Sequence, residues 1–307
     1  MPVSEILPDF FFIERGYLNA NHFAWRGERP VLVDTAYLPH VDATLEILAG
    51  IGVDPARTAE ILTTHCHCDH VGGHRRIQAL SGCGVALHPL GRHFIESGDD
   101  WSTWWRYYGQ PAEFFDCTRS LADGETVEVG PYRFTVLHTP GHSADGLVLY
   151  CAAERVLLSS DALWEKDVPV VTVRVEGSRA LFDALSSLER IAALDVRRVY
   201  PGHGPGFEDL PAAISRSRER LQGYLRRPQD LGRDQLKRIV VYTLLMHPGL
   251  PAEGFFDRLM GTHWFPETCE LFFRGDHRRH YDETLAGLLA RGILTLNEGR
   301  LFTVVPP

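Results

Sequence analysis

At 307 residues, with 44% hydrophobic and 23% charged side chains, the chain has ordinary globular usage, so disorder is not the default and one large domain plus a small appendage is expected. Its formal charge of −9 is uneven: residues 1–210 hold 17 Lys/Arg against 29 Asp/Glu, and 211–307 hold 14 against 11, so the larger part lacks a general nucleic-acid footprint. No uninterrupted apolar run reaches membrane-spanning length and the opening Met-Pro-Val-Ser-Glu is not a leader, so a cytoplasmic protein is expected, its six scattered cysteines reduced.

Residues 9–38 read as short strands, Phe10 to Ile13, His22 to Trp25 and Pro30 to Asp34, because aromatic and β-branched runs are broken by Gly and Asn. Val41, Leu45, Leu48 and Ile51 then recur at helical spacing. An apolar strand, Glu60 to Thr64, runs into His65-Cys66-His67-Cys68-Asp69-His70, and a helix follows through Leu80. The strand Tyr132 to Leu137 stops at His138-Thr139-Pro140-Gly141-His142. The strands Leu147 to Cys151 and Arg155 to Ser160 follow, the second stopping at Asp161. After a helix near 178–194, Arg198-Val199-Tyr200 stops at Pro201-Gly202-His203-Gly204. Every chemically suspicious residue sits just past a strand end, where loops at one sheet edge assemble a site from distant sequence.

From about residue 211 the texture becomes helical. Helices are expected over 211–226, 234–247 and 279–291, then a two-stranded hairpin over 292–305. Together these read as a small winged-helix-like module, so the domains are taken as 1–210 and 211–307.

His65, His67 and Asp69 alternate with His70 adjacent, so one tight loop can direct two imidazoles at one ion and an Asp and an imidazole at another. Such donors suit zinc or iron, and the lack of obligatory thiolates argues against a structural zinc. Cys66 and Cys68 point away from the interleaved histidines and are expected to pack beneath the loop. His74, His88, His93 and His138 are read as structural or surface histidines, His138 with a possible supporting bond near the Pro-Gly-His turn. The aromatic stretch at 94–115, with Trp104 and Trp105, is either an extra packed helix or a lid over the metals.

The block His65-Cys66-His67-Cys68-Asp69-His70, followed by Pro140-Gly141-His142, Asp161 and Pro201-Gly202-His203, resembles the metallo-β-lactamase superfamily over residues 8–205. The resemblance implies a four-layer αββα sandwich. It implies that His65, His67 and His142 hold one ion, that Asp69, His70 and His203 hold a second, and that Asp161 bridges them. Asp34 matches an early strand-end aspartate that supports the site without ligating. Two divalent ions are implied, zinc first with iron or manganese as alternatives, and a bridging hydroxide as nucleophile, with Asp69 and Asp161 as catalytic carboxylates. The expected substrate is a small thioester, lactone or related ester. Asp161 stands where a thiolate-using lactamase would carry Cys, which weighs against β-lactams. The alternatives are an endonuclease cutting RNA or single-stranded DNA, favoured by the basic tail, and an interaction or homodimerisation role for that tail. Di-iron redox chemistry would need a flavin domain that 211–307 does not resemble.

Overall fold

A computed structural model describes residues 2–307. The first sheet orders β1 (Val3–Leu7), β2 (Phe10–Ile13), β3 (His22–Trp25), β4 (Val31–Val33), β5 (Glu60–Leu62), β6 (Gly84–Leu87) and β7 (Arg119–Ser120) side by side, antiparallel as far as β4 and parallel beyond it. The second places β8 (Thr126–Val129), β9 (Tyr132–His138), β10 (Leu147–Cys151), β11 (Val156–Ser160) and β12 (Arg198–Pro201) in that order, with only the β11–β12 pair parallel.

Alternation along the strands dictates the layering. In β10, Leu147, Leu149 and Cys151 enter one apolar cluster and Val148 another; in β11, Val156 and Leu158 join the first and Leu157 the second. A strand buried on both faces must be covered on both. The inner cover is the first sheet, whose Phe10, Phe12, Phe23, Val31 and Val33 share the same cluster. The outer cover of the second sheet is helical: Leu188 and Ile191 of a helix over Ala180–Ala192 and Ile214 and Leu221 of one over Leu210–Arg226. Leu32, Ile61 and Val85 bury the far face of the first sheet against Leu48 and Ile77 from the helices Val41–Gly50 and His74–Ser81. The result is the expected αββα sandwich.

Beyond Arg226 the chain adds three longer helices and a small sheet. Pro228 opens a helix running to Met246, longer than expected because proline is tolerated in a first turn. A helix over Trp264–Phe273 was not anticipated; its Pro266 also falls in the first turn, where no intrahelical N–H is required. The helix His277–Ala290 and the hairpin Leu294–Asn297 with Arg300–Thr303 match expectation, and Leu250–Pro251 adds a third strand beside the hairpin. One apolar core runs across the expected boundary at 210, joining Leu18, Tyr37 and Val71 to Leu236, Val240 and Leu244. Among the described residues, no helix is long and apolar enough to cross a membrane.

Candidate metal centre

Strand ends at one edge of the sandwich supply the site. The parallel pair β4 and β5 ends in Asp34 and in the 64–70 loop, and the parallel pair β11 and β12 ends in Asp161 and His203. His142 enters from the turn after β9. The approach is so close that a Cβ on Gly202 would lie 2.0 Å from Asp161 Oδ1, and one on Gly141 would lie 2.5 Å from Ala184, so both turns require glycine. Backbone strain collects here too: Asp34 and Ser160 hold φ of 58° and 43°.

All seven sequence-assigned ligands converge. His65, His67 and His142 offer donor atoms within 4.8 Å of one another, as do His65, His70 and Asp161, and Asp69, His70 and His203. Asp161 Oδ2 lies 3.3 Å from His142 Nε2, 3.6 Å from His70 Nε2 and 3.8 Å from His203 Nε2, so one oxygen faces both halves. The Nε2 atoms of His67, His70 and His142 are buried without a hydrogen-bond partner. Orphaned buried nitrogens cost about 1–3 kcal/mol each, and imidazole and carboxylate donors pointed at common centres are what divalent ions satisfy. The residues present therefore fit a metal pair.

The far side of most rings is anchored, as ligating imidazoles require. His70 Nδ1 lies 2.8 Å from Asp34 Oδ2, His142 Nδ1 2.6 Å from the Val170 carbonyl and His203 Nδ1 3.3 Å from the Gly16 carbonyl. Asp34 also accepts from the Thr64 amide and hydroxyl at 2.9 and 2.7 Å, the supporting role expected of it. Burial, reinforced by the neighbouring rings, holds His65 and His67 well below the usual imidazole range. Burial also opposes charge on His70, but Asp34, Asp69 and Asp161 outweigh it and raise that group. Burial would raise Asp161; His203, His70 and His142 overcome it and hold the carboxyl well below its ordinary value.

Other expected residues separate cleanly. Cys66 and Cys68 are buried beneath the loop, the Cys66 amide donating to buried Asp145 at 3.0 Å and the Cys68 sulfur lying 3.6 Å from the Tyr242 hydroxyl. His74 is a buried tie between Thr35 and Thr63, at 2.7 Å from each, and His138 stacks on His88. The aromatic stretch divides between the site and the core. Trp104, at φ 69°, lays its ring 3.9 Å from that of His67, and its indole N–H donates to Glu176 at 2.5 Å. Trp105 turns into the core and donates to the Cys66 carbonyl at 2.9 Å. Sequence reasoning missed Trp164, which donates to Asp161 Oδ1 at 3.1 Å, and Arg238, Ile239 and Tyr242, which the helix after Pro228 sets into the cleft wall. For those three the only sequence signal was the apolar helical stripe, which does not say what it covers.

This cage on a αββα sandwich defines a metallo-hydrolase. The family model of the metallo-beta-lactamase superfamily matches residues 21–203, and the chain belongs to that superfamily. A beta-lactamase-like protein 2 homolog of Caenorhabditis elegans is 26% identical over 208 residues, 67% of this chain and 61% of its own length. A hydroxyacylglutathione hydrolase of Maricaulis maris is 28% identical over 145 residues, 47% of each chain. The chain thus spans only about half to three fifths of these two relatives. The crystal structure of a metallo-beta-lactamase family protein from Thermus thermophilus superposes with a TM-score of 0.63 at 26% identity, covering 97% of this chain and 100% of the other, so the likeness extends through the helical region past 210.

Proposed function

We propose that the protein hydrolyses a small carbonyl substrate, a thioester, lactone or related ester, using two divalent ions, zinc in the first place and iron or manganese as alternatives. The observation that carries this reading is the cleft wall. It is built largely from Tyr17, Trp104, Tyr108, Trp164, Ile239 and Tyr242, and its one lysine or arginine, among the described lining residues, is Arg238. That guanidinium already lies 2.7 Å from Asp167 Oδ2 and 2.8 Å from Asp234 Oδ2. Such a wall suits an apolar acyl portion and offers no uncompensated charge to a phosphodiester backbone. The hydroxyacylglutathione hydrolase among the relatives supports the same class.

When bound, the ions supply Lewis acidity and lower the pKa of water held between them. The protein's own residues do the rest. Asp161 sets the separation of the two ligand groups. Asp69, whose Oδ2 lies 3.2 Å from His203 Nε2 and which lines the cleft, is the carboxylate placed to carry a proton to the leaving group. Trp104 and Tyr108 pack the acyl portion and exclude bulk water. The residues past 210 form a winged-helix-like module that serves as a wall of this site, and the six unpaired cysteines suit a reducing compartment such as the cytoplasm.

The test is metal analysis followed by turnover of a panel of thioesters, lactones and a phosphodiester reporter. Thioester or lactone hydrolysis that disappears on chelation and returns with metal is the expected result. Turnover of the phosphodiester alone would install the endonuclease reading, which the net positive charge of 211–307 favours.

A further inference from the structure

A second cavity, of about 560 Å³, opens beside the cleft between the helices Leu210–Arg226 and Pro228–Met246 and the 166–168 loop. Its lining inverts the sign of the chain: seven lysines and arginines face four carboxylates, in a protein of formal charge −9. Pairing does not consume the excess. Arg227 and Arg233 share Asp230 at 2.8 and 2.9 Å, while Asp167 and Asp234 are held by Arg220 and, from the cleft side, by Arg238. Among the described residues Arg216, Arg226 and Lys237 have no carboxylate within 4.0 Å. Arg216 is nevertheless oriented, donating twice to the Glu165 carbonyl at 3.0 and 2.6 Å, which fixes the guanidinium without neutralising it.

The cavity and the cleft share one wall. Arg238 lines the cleft and its partners Asp167 and Asp234 line the cavity. Trp164 on the cleft and Lys166 on the cavity are two residues apart, at most about 7 Å of chain. We propose that this cavity binds the phosphate-bearing end of the substrate whose carbonyl lies at the metal cage, so that the leaving group is a phosphorylated thiol carrier. This rests on the carbonyl-hydrolase reading above. In the reaction the oxygen of water forms the new C–O bond, the C–S bond breaks, and the thiol departs with one of the water protons. The cavity, open to solvent, has the volume of a small-molecule site, and all seven of its cations come from two helices, their junction and one short loop, which favours a compact phosphorylated arm over a nucleic-acid strand.

Two thioesters with the same acyl group, one on a phosphorylated pantetheine and one on its unphosphorylated counterpart, decide the matter with metal-loaded full-length enzyme. The phosphorylated ester is expected to show a KM about tenfold lower at about 0.05 M salt, an advantage that about 0.5 M salt, where the screening length is about threefold shorter, removes. In the double variant Arg226→Gln/Lys237→Gln the ratio of kcat/KM values falls towards one, while Arg278→Gln/Arg279→Gln, with the same loss of charge on a helix that does not line the cavity, keeps it. A wild-type ratio near one overturns the proposal and leaves the hydrolase reading intact. Hydrolysis of neither ester, nor of any lactone of the panel, overturns the hydrolase reading, and turnover of lactones alone overturns the thiol-carrier proposal; calorimetric titration with inorganic pyrophosphate then reads the cavity alone. Binding lost in the double variant keeps the anion site, and binding equal in both, or absent, removes it. Cleavage of an RNA oligomer that is lost in the same variant reassigns the cavity to nucleic acid and overturns the proposal.

Discussion

The two halves of the metal cage are built on different principles. His65, His67 and His142 form an uncharged half: burial lowers all three rings, and Trp104 covers two of them, with centroids 3.9 Å from His67 and 5.0 Å from His142. Asp69, His70 and His203 form a charged half, where burial acts against the imidazolium but carboxylates prevail and both histidines are raised. Neutral imidazole is the ligating form, so the first half accepts an ion as it stands and the second must release protons to do so. The comparison teaches that one cage can set its ligands by burial on one side and by neighbouring carboxylates on the other, with Asp161 facing both.

Removing that carboxylate is the largest disturbance. Asp161→Ala deprives both halves of their common oxygen and is expected to lower kcat/KM by about a thousandfold, some 4 kcal/mol of transition-state stabilisation, with metal content falling below two per chain by elemental analysis. Retention of two ions and near-normal turnover would show that the halves do not depend on a bridge. Asp34→Asn strikes the charged half most directly, through the 2.8 Å contact with His70 Nδ1, and reaches His65 only through Thr64, so it should weaken the ion of the charged half by roughly 10–100-fold and the other less, read by competition with a chelator. Equal weakening of both ions would erase the distinction.

Trp104→Ala acts on the uncharged half alone. It should leave metal stoichiometry at two and reduce kcat/KM on hydrophobic esters by about tenfold, and unchanged steady-state constants would retire Trp104 as a wall of the site. The smallest effect lies one step further out, at Glu176. Burial raises this carboxyl from 4.5 to about 8, against the opposing donation from the Trp104 indole. The folded protein therefore holds a proton that the unfolded chain has already released, and stability falls as pH rises from about 4.5 to 8, levelling above that. Glu176→Gln should flatten this part of the melting-temperature profile; an identical slope in the variant would place the titration elsewhere.

The cage was readable because its chemistry is local and ordered: His65, His67, Asp69 and His70 fall in one loop, and His142, Asp161 and His203 each follow a recognisable strand end. The sandwich was readable for the same reason, since Val148 and Leu157 betray strands with two apolar faces. The cleft wall was not. Arg238, Ile239 and Tyr242 sit in a helix whose periodicity tells which side is buried and is silent about what lies against it. Trp104 and Trp105 are neighbours of the same type, and only the left-handed backbone at Trp104 sends one indole to the metals and the other to the core. The boundary at 210 follows the change of texture, and nothing in that texture reveals that one apolar core holds both Leu18 and Leu236.

The helix from Pro228 to Met246 gives the molecule a division of labour along its length. Residues before 204 own every ligand atom, whereas the mouth through which a substrate arrives is shaped in part by side chains more than thirty positions later. Part of the cleft wall is therefore encoded apart from the ligands, and substitutions at Arg238, Ile239 and Tyr242 reshape the mouth without touching a ligand side chain.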